Sequence, residues 1–324
     1  MNKLKSLLCS FFPLMLAAAT PAQAAYPEKP VRIIVPYAAG GSSDVLARGI
    51  GDQLAKELGQ PVVVENRAGA GSMIGTSYVA NEAPDGYTLL LADVPFTIVP
   101  ALYADRVKYD ARKDFTPVAL LGVSPLYLFV NPGFEAQTVP ALVAATKDSS
   151  NKVSIGSGGN GSLTHLMAEL FMQNTGAELV HIPYKGASAS ANDLAGGQIQ
   201  ASFTTMPTAA ALYQAGKIKP IAVSSPERMK DTPDVPTFAE LNVPNMTVQS
   251  WWGLMAPAGT PADALARLEA AMKTVMQSEA VQQRLVSLGV SAPADSSAKA
   301  LSGMVTEDFA RWDDVIKRAN IKFE

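Results

Sequence analysis

The stretch Val31-Arg32-Ile33-Ile34-Val35-Pro36-Tyr37-Ala38-Ala39-Gly40-Gly41-Ser42-Ser43-Asp44 decides the fold. A short apolar run stops at a proline and a glycine pair turns the chain. Small hydroxyls then lead into Val45, Leu46, Ile50, Leu54 and Leu58, which share one side of a helix over 42–58. Such a turn leaves backbone N–H groups without partners at the positive end of a helix dipole, which is the chemistry of holding an anion. The same device recurs at Val153-Ser154-Ile155-Gly156-Ser157-Gly158-Gly159-Asn160-Gly161-Ser162-Leu163-Thr164-His165, with Leu166, Met167, Leu170 and Phe171 at helical spacing behind it. Glycines permit tight turns with or without a ligand. Two loops of this kind, each with hydroxyls at a helix start, favour a ligand.

Working outward from the two loops, strand and helix alternate, which argues an α/β class. Gly59 stands where a helix over 42–58 would end, in the C′ role. A strand is expected over 61–65, a helix over 72–83 closed by Pro84-Asp85-Gly86, and a strand over 87–92. The pattern restarts with an apolar stretch over 120–131 and continues with a helix over 138–147 and strands near 152–155, 179–183, 199–204 and 218–224. Helices over 163–171 and 187–195 fall between these strands. Thr260-Pro261 has the form of a cap followed by proline at the first helical position, and the remaining chain is helical in its spacing. Parallel βαβ units place ligands beyond the carboxyl ends of their strands. One loop in each half of the chain suggests two lobes facing across a cleft.

The chain has 324 residues, enough to bury two cores without covalent staples. Residues 1–24 have the form of a cleavable export signal: Lys3 and Lys5, an apolar run from Leu7 to Ala19, and Ala22-Gln23-Ala24, with cleavage between Ala24 and Ala25. Cys9, the single cysteine, lies inside that segment. The formal charge is −3, and the leader would carry off two lysines and no acid. A mildly acidic chain with no long run of either sign argues against nucleic acid as a partner.

Nothing in the spacing favours catalysis. The two histidines, His165 and His181, lack the cysteines or acid clusters of a zinc site. No G-x-S-x-G elbow surrounds any serine. Gly156, Gly158 and Gly161 match a dinucleotide fingerprint, but the next strand ends in Pro183-Tyr184-Lys185 where a ribose-binding acid belongs. An exported hydrolase using His165 with Ser157 or Ser162 stands as the rival class. Asn66 could bond the first loop or a ligand, and either Trp251 or Trp252 could wall the cleft.

The chain resembles the solute-binding proteins of the tripartite tricarboxylate transporters, the Bug or TctC-like family. The resemblance rests on Arg32 to Tyr37 with Gly40 to Asp44, Val64-Glu65-Asn66-Arg67 with Gly69-Ala70-Gly71, and Pro84 to Leu90. It continues through the second loop to His165, His181 to Gly186, Pro236-Thr237, Trp252-Gly253 and Ala256 to Pro261. It implies a two-lobed periplasmic binding protein of the Venus-flytrap type, type II-like, with the ligand in the interdomain cleft. It further implies a small organic carboxylate, no cofactor or metal, and a two-component membrane permease that receives the ligand from a monomer. A ligand-presenting sensory partner would need the same lobes.

Carried over by the resemblance, the ligand-binding residues are Tyr37, Ala38, Ala39, Gly40, Gly41, Ser42, Asp44 and Asn66 from the first half. Ser157, Gly158, Asn160, Gly161, Ser162, Thr164 and His165 come from the second. The lobes are expected at 25–125 with 249–324, and at 126–248. Many members carry an aspartate where this chain has Thr204 after Phe203. If Thr204 faces the cleft, that carboxylate is missing, and a di- or aromatic acid without an ammonium is expected.

Overall fold

The computed structural model describes residues 26–321 apart from Ala38, Gly41, residues 148–151, Lys185 and the Ser42 side chain. The export signal expected over 1–24 lies outside the described residues, as do the expectations for Ala38 and Gly41.

Strands β1 (Val31–Val35), β2 (Val62–Asn66) and β3 (Thr88–Asp93) are parallel and are each followed by a helix: α1 (Ser42–Leu58), α2 (Met73–Ala80) and α3 (Pro95–Leu102). The long strand β4 (Phe115–Val130) and helix α4 (Val139–Thr146) lead into a second set. Here β5 (Ser154–Ser157), β6 (Val180–Pro183) and β7 (Ala201–Thr205) are followed by α5 (Leu163–Thr175), α6 (Ala187–Ala195) and α7 (Met206–Gln214). Strand β8 (Lys219–Val223), strand β9 (Gln249–Pro257) and helices α8 (Ala262–Gln277), α9 (Glu279–Ser287) and α10 (Ala298–Arg318) complete the chain.

The strand order β2-β1-β3-β9-β4-β7-β5-β6, with β8 also on β4, divides at β4. From Phe115 to Pro125 that strand is antiparallel to β9; from Leu126 to Val130 it is antiparallel to β7 and, from Tyr127, to β8. This register aims the two parallel sets at each other. Asp93, the last residue of β3, pairs with Trp252, which pairs with Gly122; Thr205, the last of β7, pairs with Leu126. The carboxyl ends of both sets therefore meet from opposite sides where β4 changes partners. The fold is the two-lobed α/β fold with a cleft at that point.

Ser224 ties the crossover. Its N–H donates to Leu126 O (2.9 Å), its hydroxyl accepts from Leu126 N (2.9 Å) and donates to Val248 O (2.5 Å), and its carbonyl accepts from Val248 N (3.0 Å). Both passages of the chain between the sheets are thus bonded to one buried residue.

Two buried clusters explain the layering. Val31, Ile33 and Val35 pack with Leu46, Ile50 and Leu54 of α1 and Leu268 and Met272 of α8, while Ile34, between them in sequence, faces the other way. A parallel strand covered on both faces is apolar throughout. The cluster on Ile34's side runs on into the second sheet through Leu128, Phe203 and Phe171, and Trp312 and Phe309 of α10 join it. Helix α10 also meets α5, where the Gln173 amide donates to Val315 O (3.2 Å).

The structure adjusts several expectations. The apolar stretch expected over 120–131 is one strand from Phe115 to Val130. Helices α3 and α7, each with proline in its first turn, were not foreseen. The Thr260 hydroxyl bonds Pro257 O (2.8 Å), and α8 opens after Pro261 with no side-chain cap. Gly59 keeps the C′ role, with φ 70° and its N–H on Ala55 O.

Candidate functional site

Helix starts from both lobes surround the cleft, because each of the six parallel strands ends there and its helix begins there. They differ in how many donors remain free. An α-helix leaves its first N–H groups unpaired unless a side chain caps them.

At the first loop, Asp44 is buried and internal. It accepts from Gly40 N (2.9 Å), Asn66 Nδ2 (2.9 Å) and Arg48 Nε (3.2 Å). Burial alone would raise the Asp44 carboxyl, but those bonds hold it below its ordinary range. Asn66 also donates to Tyr37 O (3.1 Å) and accepts from Arg48 (3.0 Å). The Asp44 and Asn66 side chains, expected at the ligand, are engaged in bonds to the first loop and to Arg48. Gly40 has φ +85° with open space where a Cβ would stand, so the loop's surface at this point is bare backbone. Ala39 is exposed beside it, and Ser42 opens α1. Arg67 turns away, its guanidinium 3.5 Å from the centre of the Tyr78 ring.

The second loop satisfies itself more completely. Gly158 N donates to Thr164 Oγ1 (2.8 Å), Gly159 N to Ser157 Oγ (3.1 Å), and Gly161 N to His165 Nδ1 (3.0 Å). The Ser162 hydroxyl caps α5 by accepting from His165 N (3.2 Å) and lies 3.0 Å from Thr164 Oγ1. Asn160 is the exposed tip. The glycine and hydroxyl donors expected to face an anion here are mostly spent within the loop. Ser157 is fully buried and lies 2.6 Å from Nε2 of His181, whose ring stacks on His165 at 3.9 Å. Burial and the neighbouring His165 push His181 down to about 4, so it is neutral. Of the two serines offered to His165 in the rival hydrolase, Ser157 is thus paired with His181, and Ser162 meets only the His165 backbone N–H. Glu169 Oε1 lies 3.4 Å from His165 Nε2 on the next turn. Gly156 owes its identity to packing: a Cβ would stand 2.3 Å from Ser190 Oγ and 2.5 Å from Ile199.

The unspent donors of this lobe lie on α6 and α7. Neither helix has a side-chain cap bond, and their flanking residues are Gly186 and Thr205. Thr204 stands one residue before the end of β7, 1 % exposed, and its hydroxyl has no partner.

Across the cleft floor, Asp93 joins the first loop. The Tyr37 phenol donates to Asp93 Oδ1 (2.5 Å), and beside them Trp252 Nε1 donates to Ser43 Oγ of α1 (3.0 Å). Desolvation pushes Asp93 up to about 7 against the Tyr37 bond, and Tyr37 is raised well above its ordinary value. Sequence reasoning missed Asp93. The available signal was its place as the last residue of a parallel strand. Trp251 belongs to the core, its Nε1 donating to buried Asp308 (2.7 Å). No group of acids, histidines or cysteines among the described residues could hold a metal ion. No described helix is long and apolar enough to cross a membrane.

This architecture has close counterparts. The chain is 35% identical to protein BugT of Bordetella pertussis over 100% of its own length and 99% of that protein's. It superposes with a TM-score of 0.74 on MatC of Rhodopseudomonas palustris with bound malate (31% identical; 90% of this chain, 100% of that one). With a TM-score of 0.76 it superposes on an R. palustris protein with adipate (32% identical; 92% of this chain, 99% of that one). Residues 46–321 match the tripartite tricarboxylate transporter family receptor, TctC. The chain belongs to that family of solute-binding receptors, whose members bind and do not catalyse.

Proposed function

We propose that the chain is an extracytoplasmic receptor that captures a small di- or aromatic carboxylate and delivers it, as a monomer, to a two-component permease. The leader is cleaved at Ala24–Ala25. Residues 25–125 with 249–324 form one lobe and 126–248 the other. One observation carries the reading: the carboxyl ends of two parallel strand sets face each other at the β4 crossover, with helix starts on both sides. Ligand carboxylates are held by main-chain donors at the start of α1 and around Gly40, and by the starts of α6 and α7 with Thr204. Relatives with malate and adipate support the chemical class. The lobes close because a ligand gains its second set of contacts only when they meet.

The test is a thermal-shift panel on ligand-stripped mature protein with malate, adipate, citrate, benzoate and aspartate. A ligand of the folded state raises the midpoint by mass action. A shift for one or more acids, absent for their amides and absent in Gly40→Val, is the expected result. That substitution puts a branched side chain at φ +85° and into the open cleft. No shift with any acid would reject the reading.

A further inference from the structure

Helix α2 has two faces of different kinds. Gly75, Thr76 and Val79 are buried on one. Along the other, Ala70, Met73, Ile74, Ser77, Tyr78 and Asn81 recur at helical spacing and line an open groove of about 700 Å³. Its remaining boundary is Arg106 and Lys108, from the segment that follows α3. The groove is apolar where α2 begins, and Ile74 there is 55 % exposed.

The turn before α2 holds that isoleucine in place. Gly69, Ala70, Gly71 and Ser72 all have positive φ (136°, 48°, 63° and 84°), a costly region for the alanine and the serine. Ile74 lies on the bare backbone of Gly69, where a Cβ would stand 2.4 Å from its Cδ1. A single exposed isoleucine is ordinary. One seated on a strained turn, at the mouth of a groove, has the form of a contact residue. The helix also rests on the first ligand loop: a Cβ on Gly75 would stand 2.8 Å from Pro36 Cα, and Asn66, just before the turn, donates to Tyr37 O (3.1 Å).

The charges decide what the groove would take. The one acid of its lining, Glu82, is engaged by Arg32 Nη2 at 2.6 Å. Arg106 and Lys108 are exposed and make no ion pair among the described residues. Val107, between them, packs on the core, and Asp105 lies outside the lining. The groove thus offers an apolar seat and two unopposed cations on a chain whose net charge is −3. Its complement is an apolar side chain flanked by carboxylates. An anionic lipid surface is a poorer match, because it gains little from two cations and repels the rest of an acidic chain. A groove of this size takes an anchor and not a whole interface, which suits a receptor that must leave after delivery.

We propose that the groove beside α2 is the site at which the membrane partner docks: Met73 and Ile74 seat an apolar side chain, and Arg106 and Lys108 hold the carboxylates that flank it, on an extracytoplasmic segment of the permease. The inference rests on the receptor reading above. An occupant of the groove touches the helix that backs the first ligand loop, so docking and the state of the cleft are in mechanical contact.

The experiment replaces the gene, in the cells that make the protein, by Ile74→Glu, by Arg106→Glu/Lys108→Glu, or by Val286→Glu as a control at another exposed apolar residue. Uptake of radiolabelled malate, adipate, citrate and benzoate is measured, and the thermal-shift panel is run on each purified mature protein. In parallel, a photoreactive benzoylphenylalanine replaces Ile74 or Val286, and the adducts are identified by mass spectrometry.

We expect all three variants to bind the same acid as the wild type. Uptake should be normal with Val286→Glu and roughly tenfold slower with the two groove variants, as for loss of an anchor and of its steering charges. Position 74, and not 286, should cross-link to a membrane protein at a segment containing Asp or Glu. Normal uptake with both groove variants overturns the proposal and leaves the receptor reading standing. So does loss of acid binding in either, which would make the groove part of the ligand site, or an adduct of position 74 with lipid or with a second copy of the chain. Acid binding without uptake by the wild type would overturn the transport reading, and this inference with it.

Discussion

The Ser157 hydroxyl and the His181 Nε2, 2.6 Å apart, brace the second cleft loop from beneath, with the His165 ring stacked on the imidazole face. His181 is held near 4 by burial and by His165, against about 6.5 in the unfolded chain. The neutral form is therefore the one the fold favours. The stability it contributes is complete above pH 6.5 and is lost as pH falls from 6.5 toward 4, because the unfolded chain takes the proton first. Discounted for partial exposure, the loss between pH 7 and pH 5 is about 1 kcal/mol. Urea unfolding at these two pH values should show that loss in the wild type and not in His181→Gln. Equal losses would assign the dependence elsewhere.

Asn66→Ala removes one side chain that reaches Tyr37 O, Asp44 and Arg48 together. We expect it to cost about 1–2 kcal/mol in stability. Binding of the acid found by the thermal-shift panel should weaken as well, because the Tyr37–Asp44 turn loses its anchor. Unchanged affinity with lowered stability would show that the turn keeps its shape without Asn66.

Thr204→Val separates binding from folding. The hydroxyl is buried without a partner, so replacing it by a methyl group of like shape should leave stability unchanged or raise it by up to about 1 kcal/mol. The same change should weaken acid binding about tenfold if the hydroxyl donates to the ligand. Calorimetry and denaturant midpoints on one preparation give both numbers. A loss of stability would mean that the hydroxyl has a partner in the protein.

Ser224→Ala strips the crossover of the acceptor for Leu126 N–H and the donor to Val248 O. Both groups would then be buried and unpaired, at an expected cost of about 1–3 kcal/mol in unfolding free energy. Small-angle scattering should also show a wider spread of lobe separations in the unliganded variant. A normal midpoint would mean that the surrounding ladders hold the crossover unaided.

The sequence made the local devices plain and left the long-range ones hidden. Val31–Val35, the helix from Ser42 and the stop at Gly59 are each written in adjacent residues, and they stand where expected. Helices α3 and α7 were hidden by their prolines and by short, evenly apolar sequences with little periodicity. Asp93 carried only the signal of its place at a strand end, and Ser224 none, because their roles depend on register: Asp93 meets Tyr37 only when β3 lies beside β1, and Ser224 meets Leu126 and Val248 only when both passages are in place. Self-satisfaction of the second loop was hidden for the same reason, since His181 comes from the neighbouring strand.

The last strand to leave the ribosome, β9, lies between β3 and β4 and joins them. A nascent chain that has emerged as far as β8 therefore holds every other strand among the described residues, yet β3 and β4 each present a bare edge. Only when residues 249–257 arrive can the first sheet close, across sequence separations of more than a hundred residues. Assembly must be late, slow and all-or-none in that sheet, and chains truncated before Gln249 should collect as edge-paired aggregates rather than as half-receptors.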